Sequence, residues 1–204
     1  MERRKGGWLM AGGALLAMSL VGMGLSARAG LAQAIYASAK FGPVRHAPPE
    51  ATLRRAERAH RLYPFNYFLC IQASEKAYYE RRGSDGREDP GRVEAAALWC
   101  ERGLALNPYN SQLQRMKTRL LARTDLRAAL DHWQAYVDWY FWEPYHHAVL
   151  VDLRTKLGDV VGARDALRWV KGSPHYAAAE AAVRAIEEPE DLDALVDGMM
   201  EMMR

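Results

Sequence analysis

Six histidines and two cysteines are the residues of this chain best suited to metal or nucleophile chemistry, and their spacing argues against both. His146 and His147 are adjacent, so on a helix their rings point about 100° apart and cannot share one ion. His132 and His175 stand alone, and neither His-x-x-x-His nor Cys-x-x-Cys-His occurs. A Gly-rich phosphate loop and a G-x-S-x-G elbow are also absent. The carboxylates are spread over positions that read as solvent-facing. The residues therefore predict no catalytic centre, no cofactor and no metal. Cys70 and Cys100 each sit among apolar neighbours, where a free thiol behaves as a small hydrophobe, although an oxidising compartment would also permit a bridge.

The stronger signal is aromatic. The run from His132 to Trp142 contains Trp133, Tyr136, Trp139, Tyr140, Phe141 and Trp142. On a helix Trp133, Tyr136 or Val137, and Tyr140 form one stripe, and Trp139 and Trp142 project along another. Such a helix is buried on both faces or keeps one for a partner, and aromatics are enriched in interface hot spots. Trp133, Tyr136, Trp139, Tyr140 and Trp142 are the candidate partner-binding residues. Core packing between helices competes with that reading, and contact with a membrane interface is a third.

These side chains need elements to position them, and the chain supplies a recurring one. An apolar helical run ends in proline followed by an aromatic or His at Leu62–Asn66, Leu106–Asn110, Trp142–His146 and Gly172–Tyr176. Periodicity predicts helices over 51–62, 65–82, 92–106, 111–123, 125–140, 145–157, 159–170 and 174–186. Asn110 or Ser111 and Thr124 or Asp125 are plausible caps, and Gly158 is a stop signal before a new start at Asp159. The turn-rich segment 83–91 reads as the least ordered loop. Arg54, Arg58 and Arg61 form a basic stripe on the first of these helices. It is a solvated face, or a surface for an acidic partner or lipid headgroups.

The spacing resembles the tetratricopeptide repeat, whose second helix carries a small residue, a large apolar one four positions on, a small one seven on and proline twelve on. Ala96, Cys100, Gly103 and Pro108 match well. Thr52, Ala56, Ala59 and Pro64 match more weakly. Ala128, His132 and Ala135 match in part, with the proline late at Pro144, and Ala163, Leu167 and Val170 match with Pro174 one position early. Ala96, Ala128 and Ala163 lie 32 and 35 residues apart, bracketing the family's period of about 34. The resemblance implies an all-α, helical-hairpin solenoid over residues 51–188, with Ala96, Cys100, Gly103, Pro108, Ala128 and Ala163 as packing positions. It also implies binding of other proteins rather than catalysis.

The N-terminus is different. Arg3, Arg4 and Lys5 precede the uncharged stretch Gly6–Ala27, long enough to cross a hydrocarbon core as a helix. Residues 1–5 read as a cytoplasmic flank and 6–29 as a single transmembrane signal-anchor, which puts the remainder on the exported, periplasmic side. Ala27-Arg28-Ala29 and Ala32-Gln33-Ala34 also resemble signal-peptidase sites, so a cleaved signal and a soluble adaptor stand as the alternative. Residues 30–50, with prolines at 43, 48 and 49, read as an extended linker. Residues 189–204 read as an amphipathic helix that caps the open end of the array.

Charge narrows the partners. The chain has 28 Lys and Arg against 25 Asp and Glu. Removing Glu2, Arg3, Arg4, Lys5 and Arg28 leaves 24 of each, so the part after position 29 is neutral. No nucleic-acid binding is expected of it. The sequence reading is a membrane-anchored scaffold or accessory subunit of an envelope complex. A subunit whose transmembrane helix itself packs into a larger complex, through Gly12, Gly13, Gly22 and Gly24, is the other form of that reading.

Overall fold

The structure, a computed structural model, describes residues 3–42, 46–82 and 86–187; side chains are described from Gly13 onward. The described residues are all-α, with helices α1 (Arg3–Phe41), α2 (Pro49–Leu62), α3 (Tyr67–Tyr79), α4 (Pro90–Leu106), α5 (Ser111–Leu121), α6 (Leu126–Trp139), α7 (Pro144–Lys156), α8 (Val160–Val170) and α9 (Tyr176–Glu187). They fall into two compact units, residues 1–108 and 109–204. The proposed capping helix at 189–204 lies outside the described residues.

The helix ends follow from local chemistry. Asn66, Asn110, Asp125 and Asp159 each accept a hydrogen bond from the backbone N–H three residues on, which satisfies one of the orphan donors of a first turn. Pro90 and Pro144 open α4 and α7, where a missing N–H costs nothing. Gly158 stands at φ 73° after α7, and its N–H and that of Asp159 return to the Thr155 and Arg154 carbonyls at 3.0 and 2.9 Å. That wrap needs a residue without Cβ.

In the first unit, α1 packs on α2, α2 on α3 and α3 on α4. Ala32, Tyr36, Ala56, Ala59, Leu69, Cys70, Ala73 and Trp99 form its core. The small residues let the helices approach closely. Ser74 of α3 donates to the Ala96 carbonyl of α4 at 2.9 Å, and Ala96, Cys100 and Gly103 are buried, while Pro108 is exposed in the turn beyond. Arg102 and Arg92 tie α4 to α2 through Glu57 at 2.8 Å and Glu50 at 2.5 Å. Cys70 and Cys100 are buried free thiols, and burial pushes the Cys70 thiol up to about 11. Arg82 and Glu88 close the α3–α4 connection with an isolated antiparallel bridge; residues 83–85 of that loop lie outside the described set.

The extended linker expected over 30–50 is corrected here. α1 runs unbroken to Phe41, and α2 already begins at Pro49. Helix-breaking chemistry starts only at Gly42-Pro43, and nothing in Ala37–Phe41 disfavours helix. The lower part of α1 is thus one half of the first hairpin, with Ala32, Tyr36 and Ala39 buried. From Gly13 on, α1 is long and apolar enough to span a membrane. Its Leu15, Leu16, Met18, Leu20, Val21, Met23 and Leu25 are exposed.

In the second unit consecutive helices α5 to α9 pack in order, and α7 also packs directly on α9. First helices of successive hairpins therefore adjoin, which lets each hairpin bury the apolar face it cannot bury alone. The core contains Ala129, Trp133, Val137, Leu150, Val151, Ala163, Val170 and Val183. Ala128, expected as the packing position, is half-buried, and Ala129 beside it is fully buried. The buried stripe of α6 is Ala129, Leu130, Trp133, Tyr136 and Val137. Corrected, Ala96, Ala129 and Ala163 stand 33 and 34 residues apart.

Candidate functional site

Tracing the aromatic run from the inside outward separates core from surface. Trp133 is fully buried, and its indole N–H donates to the His146 carbonyl at 2.9 Å. Tyr136 is buried beside it, ring to ring at 5.1 Å. Neither can meet a partner, so both leave the candidate set, because one stripe of α6 faces the core and Trp133 and Tyr136 lie on it. Tyr140 is half-buried, and Trp139 and Trp142 are exposed.

The exposed rings form a connected ridge. Tyr109 stacks on Trp139 at 4.2 Å, and Trp139 on Tyr140 at 5.6 Å. Tyr140 meets Trp142 at 4.3 Å, and Trp142 meets Phe141 edge-on at 5.5 Å. Phe141 reaches Trp169 at 6.3 Å, and Trp169 lies flat on His147 at 5.2 Å. Tyr109, Trp139, Phe141, Trp142 and Trp169 are each 50% to 58% exposed. Aromatic pairs of this kind stabilise one another by about 0.5–1.5 kcal/mol, so the ridge is held in place without being covered.

Two histidines fix its centre. α6 ends at Trp139 and α7 starts at Pro144, leaving the Tyr140 and Phe141 carbonyls without helical partners. His146 Nδ1 reaches the Tyr140 oxygen at 3.2 Å and His147 Nε2 the Phe141 oxygen at 2.6 Å. Since a carbonyl only accepts, each ring nitrogen donates, and the two rings together hold the turn. Burial holds the His146 pKa below its ordinary value, against a contrary pull from the Tyr140 hydrogen bond and Glu143. Arg115 closes the other side, donating to the Tyr145 hydroxyl at 2.9 Å.

Trp169 and His147 also border an open recess of about 140 Å³ with Gln134, Arg154 and Asp165. Arg154 donates to Gln134 at 2.8 Å across it. The ridge thus has an apolar crest and a charged flank. Among the described residues no group of three or more His, Cys, Asp or Glu side chains is placed to hold a metal.

Tyr109 and Trp169 join the site from outside the aromatic run, and Phe141 joins it from within the run though it was not among the candidate residues. Tyr109 follows the proline of one recurring turn and Phe141 precedes that of the next. Trp169 betrays itself only by lying off the Ala163, Ala166, Val170 face of α8. Neither a protein-family model nor a curated protein matches this chain.

Proposed function

We propose that this chain is a membrane-anchored helical-repeat scaffold that holds a protein partner on the Tyr109–Trp169 ridge, on the exported side of a bacterial-type membrane. The observation carrying the reading is the run of half-exposed rings, pre-ordered by stacking and by His146 and His147. Rigid aromatics lose little entropy on binding and dominate interface energetics. The tetratricopeptide-like assignment is supported by the Ala96, Ala129, Ala163 spacing and by the α7–α9 packing. The protein acts by binding and not by catalysis. Anchorage draws support from the apolar exposure of α1 and from its continuity. Cleavage after Ala29 or Ala34 would cut inside a helix whose Ala32 and Tyr36 are core residues, which favours retention over a soluble adaptor.

The test is affinity purification of the tagged full-length protein from solubilised membranes, with W139A/W142A beside the parent. Partners should fall away from the variant by about 30-fold or more, the loss of roughly 2 kcal/mol expected of a hot spot, at unchanged helix content. Retention of partners by that variant, with loss on G22L/G24L instead, would transfer the binding role from the ridge to α1 and its open glycines.

A further inference from the structure

The first unit places its own aromatic turn level with the end of the apolar stretch of α1. The Arg28 guanidinium of α1 donates to the Arg61 carbonyl at the end of α2, at 3.2 Å. Five residues further on, Gln33 accepts from Asn66 at 3.1 Å. The segment 61–66 therefore lies alongside 28–33. The uncharged stretch Gly6–Ala27 is 22 residues, about 33 Å of helix, close to the roughly 30 Å of a hydrocarbon core. With that stretch in the bilayer, residue 28 stands at its boundary and residue 33 about 8 Å above it. The headgroup layer is about 5–8 Å thick on each side.

That layer would receive Tyr63, Phe65 and Phe68, all exposed. Tyr63 and Phe65 meet edge-on at 5.6 Å, and Phe68 stacks on Tyr67 at 4.2 Å. Arg28, Arg58 and Arg61 are exposed at or just above the same level. α2 has Arg54, Arg58 and Arg61 on one stripe, and its Glu57 pairs with Arg102 at 2.8 Å and more loosely with Arg61 at 3.7 Å. Aromatic rings and guanidinium groups together at headgroup level form an arrangement that suits an anionic bilayer surface.

We infer that the α2–α3 turn, Tyr63 to Phe68 with Arg28, Arg58 and Arg61, is a membrane-interface contact that seats the first hairpin on an anionic lipid surface. The contact fixes the tilt of the first hairpin against the bilayer, since α1 alone would let it pivot about a single helix. It rests on α1 spanning the bilayer, and the experiment tests that separately.

Full-length F65C, F41C and L20C are labelled with nitrobenzoxadiazole and reconstituted into phosphatidylcholine vesicles containing a minority of phosphatidylglycerol. Cys70 and Cys100 are buried and do not compete for the label in the folded protein. Depth is read by nitroxide lipids and aqueous iodide. L20C should be quenched only by lipid nitroxides. F65C should be quenched by the shallow nitroxide and shielded several-fold from iodide. F41C, at the far end of the same hairpin, should behave as in water. R58E/R61E should lose most of the F65C shielding, and so should omission of phosphatidylglycerol. Iodide access at F65C equal to that at F41C, with L20C still in lipid, overturns the contact and leaves the anchor standing. Iodide access at L20C overturns both. Shielding of F65C without any lipid quenching would mean a protein cover and also overturns the proposal.

Discussion

At the scale of single residues, His146 does structural work that its chemistry makes pH-dependent. Its ring, like that of His147, donates to a carbonyl left over at the end of α6. His146, depressed by burial from its ordinary 6.5, binds its proton less readily folded than unfolded. Its contribution is complete above the unfolded value and is lost as pH falls from 6.5 through the lower folded value. His60 is depressed by burial and by Arg102, and adds a decline of the same sign. Thermal melts should therefore lose about a few °C between pH 7.5 and pH 5, and H146Q should show a shallower loss, the part belonging to His60. A melt that stays flat over that range would mean that neither His146 nor His60 is held below its ordinary value. Trp139, beside them in sequence, should report the same titration as a shift in indole emission, because its neighbour Tyr140 is what His146 restrains.

At the scale of elements, the register of α6 is open to direct test. Ala129 is fully buried against its neighbours and Ala128 only half-buried. A129L should cost about 1–3 kcal/mol by overpacking, whereas A128L should cost well under half as much, both measured by denaturant unfolding. Equal costs would restore the register centred on Ala128, His132 and Ala135. The difference between the two registers explains what could be read from the chain. Helix number and most boundaries were legible because proline, Gly158 and the Asn or Asp caps act locally. The Ala96 helix was legible because Cys100, Gly103 and Pro108 follow Ala96 at the full repeat spacing. In α6 the pair Ala128-Ala129 gives no local preference, and only the cross-helix bond from Trp133 to His146 selects the second. The ridge was half legible. Alternation within α6 separates Trp133 from Trp139, but Tyr109 and Trp169 reach it from other helices. The linker was misread because prolines at 43, 48 and 49 dominated a window whose first residues form good helix.

At the scale of the molecule, the continuity of α1 decides what kind of protein leaves the membrane. A removable signal ends in a segment that a peptidase can bind extended, yet both A-x-A sites here lie within helix. Ala32 packs in the first core with Tyr36, Ala56 and Ala59, and Arg28 and Gln33 hold the ends of α2 and α3. Cleavage after Ala29 would separate the hairpin from the apolar stretch of α1 and cut the Arg28 bond to α2. Cleavage after Ala34 would strip Ala32 from its core and strand half a helix. The protein recovered from cells should then still carry the residues of α1 up to Ala34 by intact mass, and it should resist extraction by alkaline carbonate. A mass short by the first 29 or 34 residues, in the soluble fraction, would mean the chain is cut before α1 and α2 pair. The order of folding and processing would then set its location. The ridge of the second unit, with a core of its own, would survive such a cut.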